Sequence, residues 1–380
     1  MNCKLYSMLV KESITNTSMK TDTLSSEDKK TIDLLRFPLA LLVLYIHADL
    51  MTTNSSSLIS PDATPFLWNV DYLISKIIGS ISVPAFFLIS GLLFFKSGGI
   101  SIENWKQKCK SRFRSLFVPY LIWNAIFLLV LAFAQHFYPT LMGHSKLIVS
   151  FSIGTLFLCF ISMDYVINGF SLRPFLIGPI DLPLWFIRDL MILVVLAPLI
   201  QFLIQHLGKF FIMILLGLWA FCIFKHVMFI GLNGICFFSI GAYFGIERIG
   251  FCYIKKYGKL AMLFYVITIL IEMIYKMDSP EVLSNVNILL GVVVWIYLFS
   301  CLASRMKRNG AWLSKSSFFI YASHYYAVIL FIRAAIKIAP QNELVLILAY
   351  LSVPVIMGLL LAYLYKIIPS GCRKILTGGR

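Results

Sequence analysis

An arginine and a histidine, Arg36 and His47, bracket the otherwise apolar stretch "FPLALLVLYI" near the start of the chain. On an α-helix eleven positions make close to three full turns, so the two side chains share nearly one face, about 16 Å apart along the axis. That separation is too long for joint action on one small functional group, and it suits the two ends of one long ligand. Each residue also has a plainer use. An arginine near a helix end can snorkel to the membrane interface, and a histidine at membrane depth often serves as a hydrogen-bonded core residue. His324, in "YASHYYAVIL", is a second histidine inside an apolar run, and Arg188 and Asp189 form an adjacent pair of opposite charge at the start of another. Ionisable residues in such runs usually face the interior of a helix bundle.

These residues need a membrane-embedded scaffold to position them. The 380 residues are 59% hydrophobic and 13% charged, with a mean hydropathy of +0.86, which excludes a soluble protein of ordinary composition and predicts an integral membrane protein. The net charge of +16 is concentrated in short segments between apolar runs. That pattern fits loops facing anionic membrane lipid and gives no support to a nucleic-acid partner. Eight cysteines are scattered without a CxxC pair, so neither a disulfide framework nor a metal site is indicated. No GxxxxGK[ST] loop and no HExxH motif occurs, which leaves ATP hydrolysis and zinc proteolysis without support. The HxxxxD pattern of glycerolipid acyltransferases is missing as well.

Apolar runs able to cross about 30 Å of hydrocarbon begin near residues 33, 77, 117, 146, 184, 210, 232, 260, 287, 316 and 343. Between residues 96 and 114, Lys96, Lys106, Lys108, Lys110, Arg112 and Arg114 stand against the single acid Glu103. This loop, and the N-terminus with it, is expected in the cytoplasm. If the run at 146–163 crossed, the basic loops "ERIGFCYIKKYGK" and "SRMKRNGAWLSKS" and the C-terminal "GCRKILTGGR" would all face outward. If it does not cross, all three fall inside and "KMDSPEVLSN" falls outside. The expectation is an all-α integral membrane protein of about ten transmembrane helices, both termini cytoplasmic, with a re-entrant or interfacial segment near 146–163. Residues 1–30 read as a polar cytoplasmic tail without the order of a signal peptide, residues 31–368 as the membrane domain, and residues 369–380 as a basic cytoplasmic tail. Neither an internal repeat nor discontinuous helices in matched halves are seen.

Four further motifs follow Arg36 and His47 in order: "VPAFFLISGLLFF" (Val83 to Phe95), "RFRSLFVPYLIWN" (Arg112 to Asn124), "LPLWFIRDLMILVVLAPLI" (Leu182 to Ile200) and "FFIYASHYYAVIL" (Phe318 to Leu330). Taken in this order they resemble the membrane acyltransferase-3 family, which O-acylates bacterial surface sugars, over nearly the whole chain from Asp33 to about Lys366. The resemblance implies an acyl-CoA, commonly acetyl-CoA, as cytoplasmic donor. It implies as acceptor a hydroxyl of a cell-surface or exported glycan or lipid-linked saccharide, and as location the bacterial cytoplasmic membrane. The essential arginine and histidine of the family's first helix correspond to Arg36 and His47. Two departures bear on mechanism. The SGNH-type esterase domain fused to many relatives is not seen, so transfer is expected directly to the acceptor or through the membrane domain alone. The basic motif after the second helix, often RxxR in the family, reads "KSRFR" here, which leaves open how Lys110, Arg112 and Arg114 divide its roles.

On that footing the CoA phosphates are expected at the cytoplasmic mouth beside Arg36, Arg112 and Arg114, with the pantetheine arm reaching up the bundle. His47 then meets the thioester and removes the acceptor's proton. Trp185 is either an interfacial belt residue or a sugar-stacking platform. Arg188 and Asp189 either pair structurally, or contact acceptor hydroxyls or orient His47. His324 is a second proton carrier, a thioester contact or a packing residue. Ser90 and Gly91 are expected to allow close helix approach, and Glu272 to lie at the interface. The competing class is a lipid-linked sugar transporter or flippase, for which buried charges and about ten helices are equally natural.

Overall fold

The computed structural model describes residues 24–50, 62, 64–137, 148–161, 178–223, 226–227, 230–306, 311–340 and 342–379. Helix α1 (Ser26–His47) starts ahead of the apolar run because a capping box closes its polar leader. The Ser25 side chain accepts from the Asp28 amide, and the Asp28 carboxylate accepts from the Ser25 amide. The second run is one continuous rod from Pro65 to Phe94. It passes through α2 (Pro65–Asp71), a π-helical stretch Tyr72–Ile78, a 3₁₀ turn Gly79–Ile81 and α3 (Ser82–Phe94). The third joins α4 (Ile102–Arg112) to α5 (Val118–Phe137) through π-helical Phe113–Phe117.

Helix α6 (Ile153–Cys159) is the helical part of the segment expected not to cross. Its seven residues rise only about 10 Å, and residues 146–147 and 162–163 lie outside those described. Next come α7 (Trp185–Val195), α8 (Ala197–Leu207) and α9 (Lys209–Ala220), then a two-residue pairing of β1 (His226–Val227) with β2 (Ile230–Gly231). The chain continues with α10 (Leu232–Ile246), α11 (Cys252–Tyr275), α12 (Glu281–Arg305), α13 (Ala311–Ser323), α14 (Tyr325–Ile338), α15 (Glu343–Ile367) and α16 (Ser370–Thr377).

Two helix pairs are sharply bent at short breaks that the sequence did not show. The α7–α8 pair bends by 62° and the α13–α14 pair by 71°. At the first break Pro198 lacks the amide that would continue the ladder, and its ring displaces the preceding turn. Among the described residues five helices are long and apolar enough to cross a membrane singly, or up to seven if each bent pair is one span. The chain is thus an all-α multi-pass membrane protein. Three elements separate that figure from the expected ten: α1 carries Asp33 and Arg36, and α9 and α10 have 12 and 15 residues.

Glycine sets the closest helix contact. A Cβ on Gly91 of α3 would stand 2.1 Å from the Phe238 carbonyl oxygen, and one on Gly241 of α10 would stand 2.0 Å from that of Leu88. Only the absence of a side chain lets these backbones approach so closely. The main core runs through α1, α3, α10, α13 and α15, with Leu35, Leu39, Phe87, Phe94, Phe237 and Tyr350 fully buried. Helix α11 turns Leu260, Leu263, Leu270 and Ile274 outward. Its acid, Glu272, expected at the interface, lies in the last turn of α11 and is 3% exposed. Ser284 donates to it at 2.5 Å and Asn287 donates as well, so it ties α11 to α12.

Contacts sort the connecting segments to two ends of the bundle. At one end Glu27 pairs with Lys255 at 2.8 Å, the Phe251 amide donates to Asp28 at 3.1 Å, and Ser314 donates to Asp33 at 3.4 Å. Trp123 donates to the Leu376 carbonyl at 3.0 Å, docking α16 on α5. At the other end the Phe66 and Leu67 amides donate to Glu343 at 2.7 and 2.9 Å, Tyr72 donates to the Lys276 carbonyl at 2.7 Å, and Lys76 pairs with Asp49 at 2.6 Å.

Candidate active site

A cavity of about 500 Å³ lies between α1, α3, α7 and α13. Four cations line it, Arg36, Lys96, Arg112 and Lys315, together with the single carboxylate Asp33. Arg36 and Asp33 are one turn apart on α1 and pair at 3.2 Å. The remaining wall is mostly apolar, with Phe86, Leu93, Phe94, Phe186, Leu190 and Phe238, and Tyr321 closes it. Of the "KSRFR" cluster, Arg112 reaches this space and Arg114 does not. Residues two apart on a helix face different ways, and Arg114 is exposed.

The two membrane histidines meet. The His47 ring centroid is 5.2 Å from that of His324 and 4.8 Å, edge-on, from that of Tyr325. His324 Nδ1 lies 3.1 Å from the Ile320 carbonyl oxygen and 2.9 Å from that of Tyr321. Carbonyl oxygens only accept, so Nδ1 bears the proton and Nε2 carries the lone pair. That Nε2 is buried and has no hydrogen-bond partner among the described residues. The carbonyls it serves through Nδ1 are among those a helix leaves unpaired at its C-terminus, so the imidazole itself caps α13. The break between α13 and α14 falls at this same residue.

Neither histidine lines the cavity. Tyr321, which does, lies one turn before His324 with its ring 6.3 Å away. Helix α1 is unbroken from Arg36 to His47, and the arginine stands among the cavity's cations while the histidine does not line the cavity. The helix holds the two about three turns apart, the separation that the sequence implied.

Trp185 is part-buried against Phe87, 6.4 Å between rings, while its neighbour Phe186 faces the cavity. Arg188 and Asp189 pair at 3.0 Å and are 9% and 2% exposed. Arg188 also donates to the Ile161 carbonyl at 3.0 Å, which ties α7 to the segment after α6 and favours a structural use. Ser90 lines the cavity beside the packing residue Gly91. His136 and His206 lie in the last turns of α5 and α8. His144 and the side chain of His226 lie outside the described residues.

The sequence reading missed Asp33, Lys315, Tyr321 and Tyr325. Asp33 was legible as the i,i+3 partner of Arg36. Lys315 is indistinguishable from a loop charge until α13 is placed. No group of three His, Cys, Asp or Glu that could hold a metal occurs among the described residues.

The fold and cavity define a multi-pass helical membrane protein with a cation-rimmed, apolar-walled cavity and, one turn from its Tyr321, a pair of adjoining imidazoles of which His324 is buried. Residues 29–364 match the acyltransferase domain of the acyltransferase-3 family, and the chain belongs to that family. It is a membrane acyltransferase. It is similar to the succinoglycan biosynthesis protein ExoH of Rhizobium meliloti (strain 1021), 23% identical over 314 residues that cover 79% of this chain and 78% of that protein. No solved structure matches it.

Proposed function

We propose that this protein moves an acyl group, acetyl in the first instance, from a cytoplasmic acyl-CoA to a hydroxyl of a cell-surface or exported glycan, within the bacterial cytoplasmic membrane. The observation that carries this is the cavity. Arg36, Lys96, Arg112 and Lys315 gather around one space whose Tyr321 wall stands a single turn from His324 and, through it, His47. Guanidinium and ammonium groups suit the phosphates of CoA, and the phenylalanine and leucine walls suit its pantetheine arm. The name of the ExoH relative, a succinoglycan biosynthesis protein, supports a polysaccharide acceptor.

His47 takes the proton of the acceptor hydroxyl as its oxygen attacks the acyl carbon. A C–O ester bond forms, the C–S bond breaks, and the proton passes from the imidazole to the departing CoA thiolate. His324 offers Nε2 in a fixed tautomer beside His47 as a second proton acceptor. The same proposal takes α1, α9 and α10 as crossings in addition to the seven apolar spans, with both termini cytoplasmic.

The test is to express wild type, Arg36→Ala and His47→Ala in matched knockout cells and to measure ester-linked acyl groups on purified surface glycan by mass spectrometry. Esterified glycan with wild type alone is the expected result. Retained transfer by His47→Ala overturns its assignment as base. The two bent helix pairs are a feature that a lipid-linked sugar flippase would share. Glycan left unesterified in all three strains, with a surface amount that tracks the protein, would establish transport instead.

A further inference from the structure

The chain on both sides of His47 is bonded to one neighbouring turn. Ser75 donates to the Tyr45 carbonyl at 2.7 Å, just before His47. Just after it, Lys76 pairs with Asp49 at 2.6 Å, and the Leu50 amide donates to the Asp71 carboxylate at 2.9 Å. The single proton of the Ser75 hydroxyl goes to a carbonyl, so the Tyr350 hydroxyl, 2.7 Å away, donates to Ser75 in turn. Asp49, Asp71, Ser75 and Tyr350 are all buried. Together these bonds hold the end of α1 from Tyr45 to Leu50, while the His47 ring meets those of His324 and Tyr325.

Asp71 ends α2, and Ser75 and Lys76 belong to the π-helical stretch Tyr72–Ile78. In an α-helix Lys76 would stand about 140° round the axis from Asp71. With i→i+5 bonding, residues five apart come nearly into line, so Asp71 and Lys76 both reach α1, with Ser75 beside them. The widened turn thus makes the clamp, and π-turns recur at functional sites. The following 3₁₀ turn packs closely as well: a Cβ on Gly79 would stand 2.9 Å from Ile46 Cγ1. A base must lie within hydrogen-bond reach of the proton it takes, and a misplacement of about 1 Å can cost about 10²-fold in rate.

We propose that Asp71 and Ser75 are positioning residues for His47: through Leu50 and Tyr45 the π-helical turn fixes the end of α1 and sets the imidazole against His324 and Tyr325. That His47 acts as a base rests on the acyl-transfer proposal, and the placement of its ring can be read without any reaction.

The experiment uses the full chain, with isotope-labelled histidine, in lipid nanodiscs. The imidazole nitrogen resonances of its six histidines are recorded by NMR with no donor or acceptor present, and His47→Ala assigns the signal of interest. Acyl transfer to glycan is measured in parallel over a range of acetyl-CoA concentrations. Asp71→Ala removes the acceptor for the Leu50 amide, and Ser75→Ala removes the donor to the Tyr45 carbonyl. In each the His47 resonances should move while those of His136 and His206 stay. In each kcat should fall by about 10- to 100-fold with the KM for acetyl-CoA unchanged. Asp71→Asn keeps a carbonyl oxygen for the Leu50 amide and should return both the spectrum and kcat to near those of wild type.

An unmoved His47 signal in both alanine variants, or full kcat in both, overturns the proposal. So does a loss of kcat in Asp71→Asn as deep as in Asp71→Ala, which would make the charge and not the bond the working feature. A rise in the acetyl-CoA KM that accompanies the fall in kcat would mark a general loosening of the bundle and overturn it equally. If Asp71→Ala fails to insert, Ser75→Ala decides alone, since it removes a single hydroxyl. If His47 moves in the alanine variants, returns in Asp71→Asn, and wild type transfers no acyl group, the positioning assignment stands and the acyl-transfer proposal falls.

Discussion

At the scale of single residues, His324 combines a structural and a chemical task in the two nitrogens of one ring. Nδ1 caps α13 through the Ile320 and Tyr321 carbonyls, and Nε2 is left buried without a partner near His47. The two tasks separate under substitution. In His324→Asn the side-chain amide keeps a donor for the carbonyls and loses the lone pair of Nε2. Acyl transfer should fall by about 10²- to 10⁴-fold, the usual scale of acid–base assistance, with the melting temperature held near wild type. His324→Ala removes both functions and should lower activity and melting temperature together. Full transfer by His324→Asn, measured as acyl ester on glycan, would reduce His324 to a helix cap. Residues of this scale were unevenly legible. Arg36 and His47 stand out because charge inside an apolar run is costly and therefore conspicuous. Asp71 does not stand out, since a single acid in "NVDYLISK" reads as an ordinary residue ahead of an apolar run. Its bond to the Leu50 amide arises only when the π-helical turn packs against the end of α1.

At the scale of elements, hydropathy located a helix under each expected apolar run, because burial of nonpolar side chains is written directly into composition. The breaks were less legible. Pro198 stands at the first as a helix breaker, whereas the α13–α14 bend contains neither Pro nor Gly and falls at His324, whose side chain bonds its own helix's carbonyls. Close packing was partly legible, as with Gly91 in "FFLISG". The α3–α10 contact yields a graded prediction. In Gly91→Ala and Gly241→Ala the new Cβ meets backbone carbonyl oxygen at 2.1 and 2.0 Å, which no rotamer change relieves, so the helices must separate. Each substitution should destabilise by about 1–3 kcal/mol, read as a fall in melting temperature in detergent. Gly217→Ala in α9 is the control: nothing lies within 4 Å of its Cβ position, and the better helix former should be neutral or stabilising by about 0.5–1 kcal/mol. Equal effects at all three positions would remove the steric account.

At the scale of the whole molecule, the proposed topology makes a prediction that one close contact sharpens. A Cβ built on Gly98, in the basic loop after α3, would stand 3.8 Å from the Arg248 guanidinium, in the basic loop after α10. Two loops this close lie at one end of the bundle, which requires an even number of crossings between them. The α4–α5 rod, the α7–α8 pair, α9 and α10 supply an even number only if the 146–163 segment turns back, in keeping with the seven-residue length of α6. Alkaline phosphatase fused after Gly98 and after Arg248 should therefore be inactive in both cases, because that enzyme matures only outside the cytoplasm, where its disulfides form. Fusion after Asp278, in the loop whose Lys276 carbonyl bonds Tyr72 at the other end, should be active. Activity after Arg248 but not after Gly98 would mean that residues 146–163 cross, and the basic segments from Arg248 onward would then face outward against the positive-inside rule. The cation-rimmed cavity would still open beside Arg36. In that case Lys315 would have to lie across the membrane from Arg36 and Arg112, although all three line the same 500 Å³ space. That conflict makes the paired Gly98 and Arg248 fusions the decisive measurement of the fold.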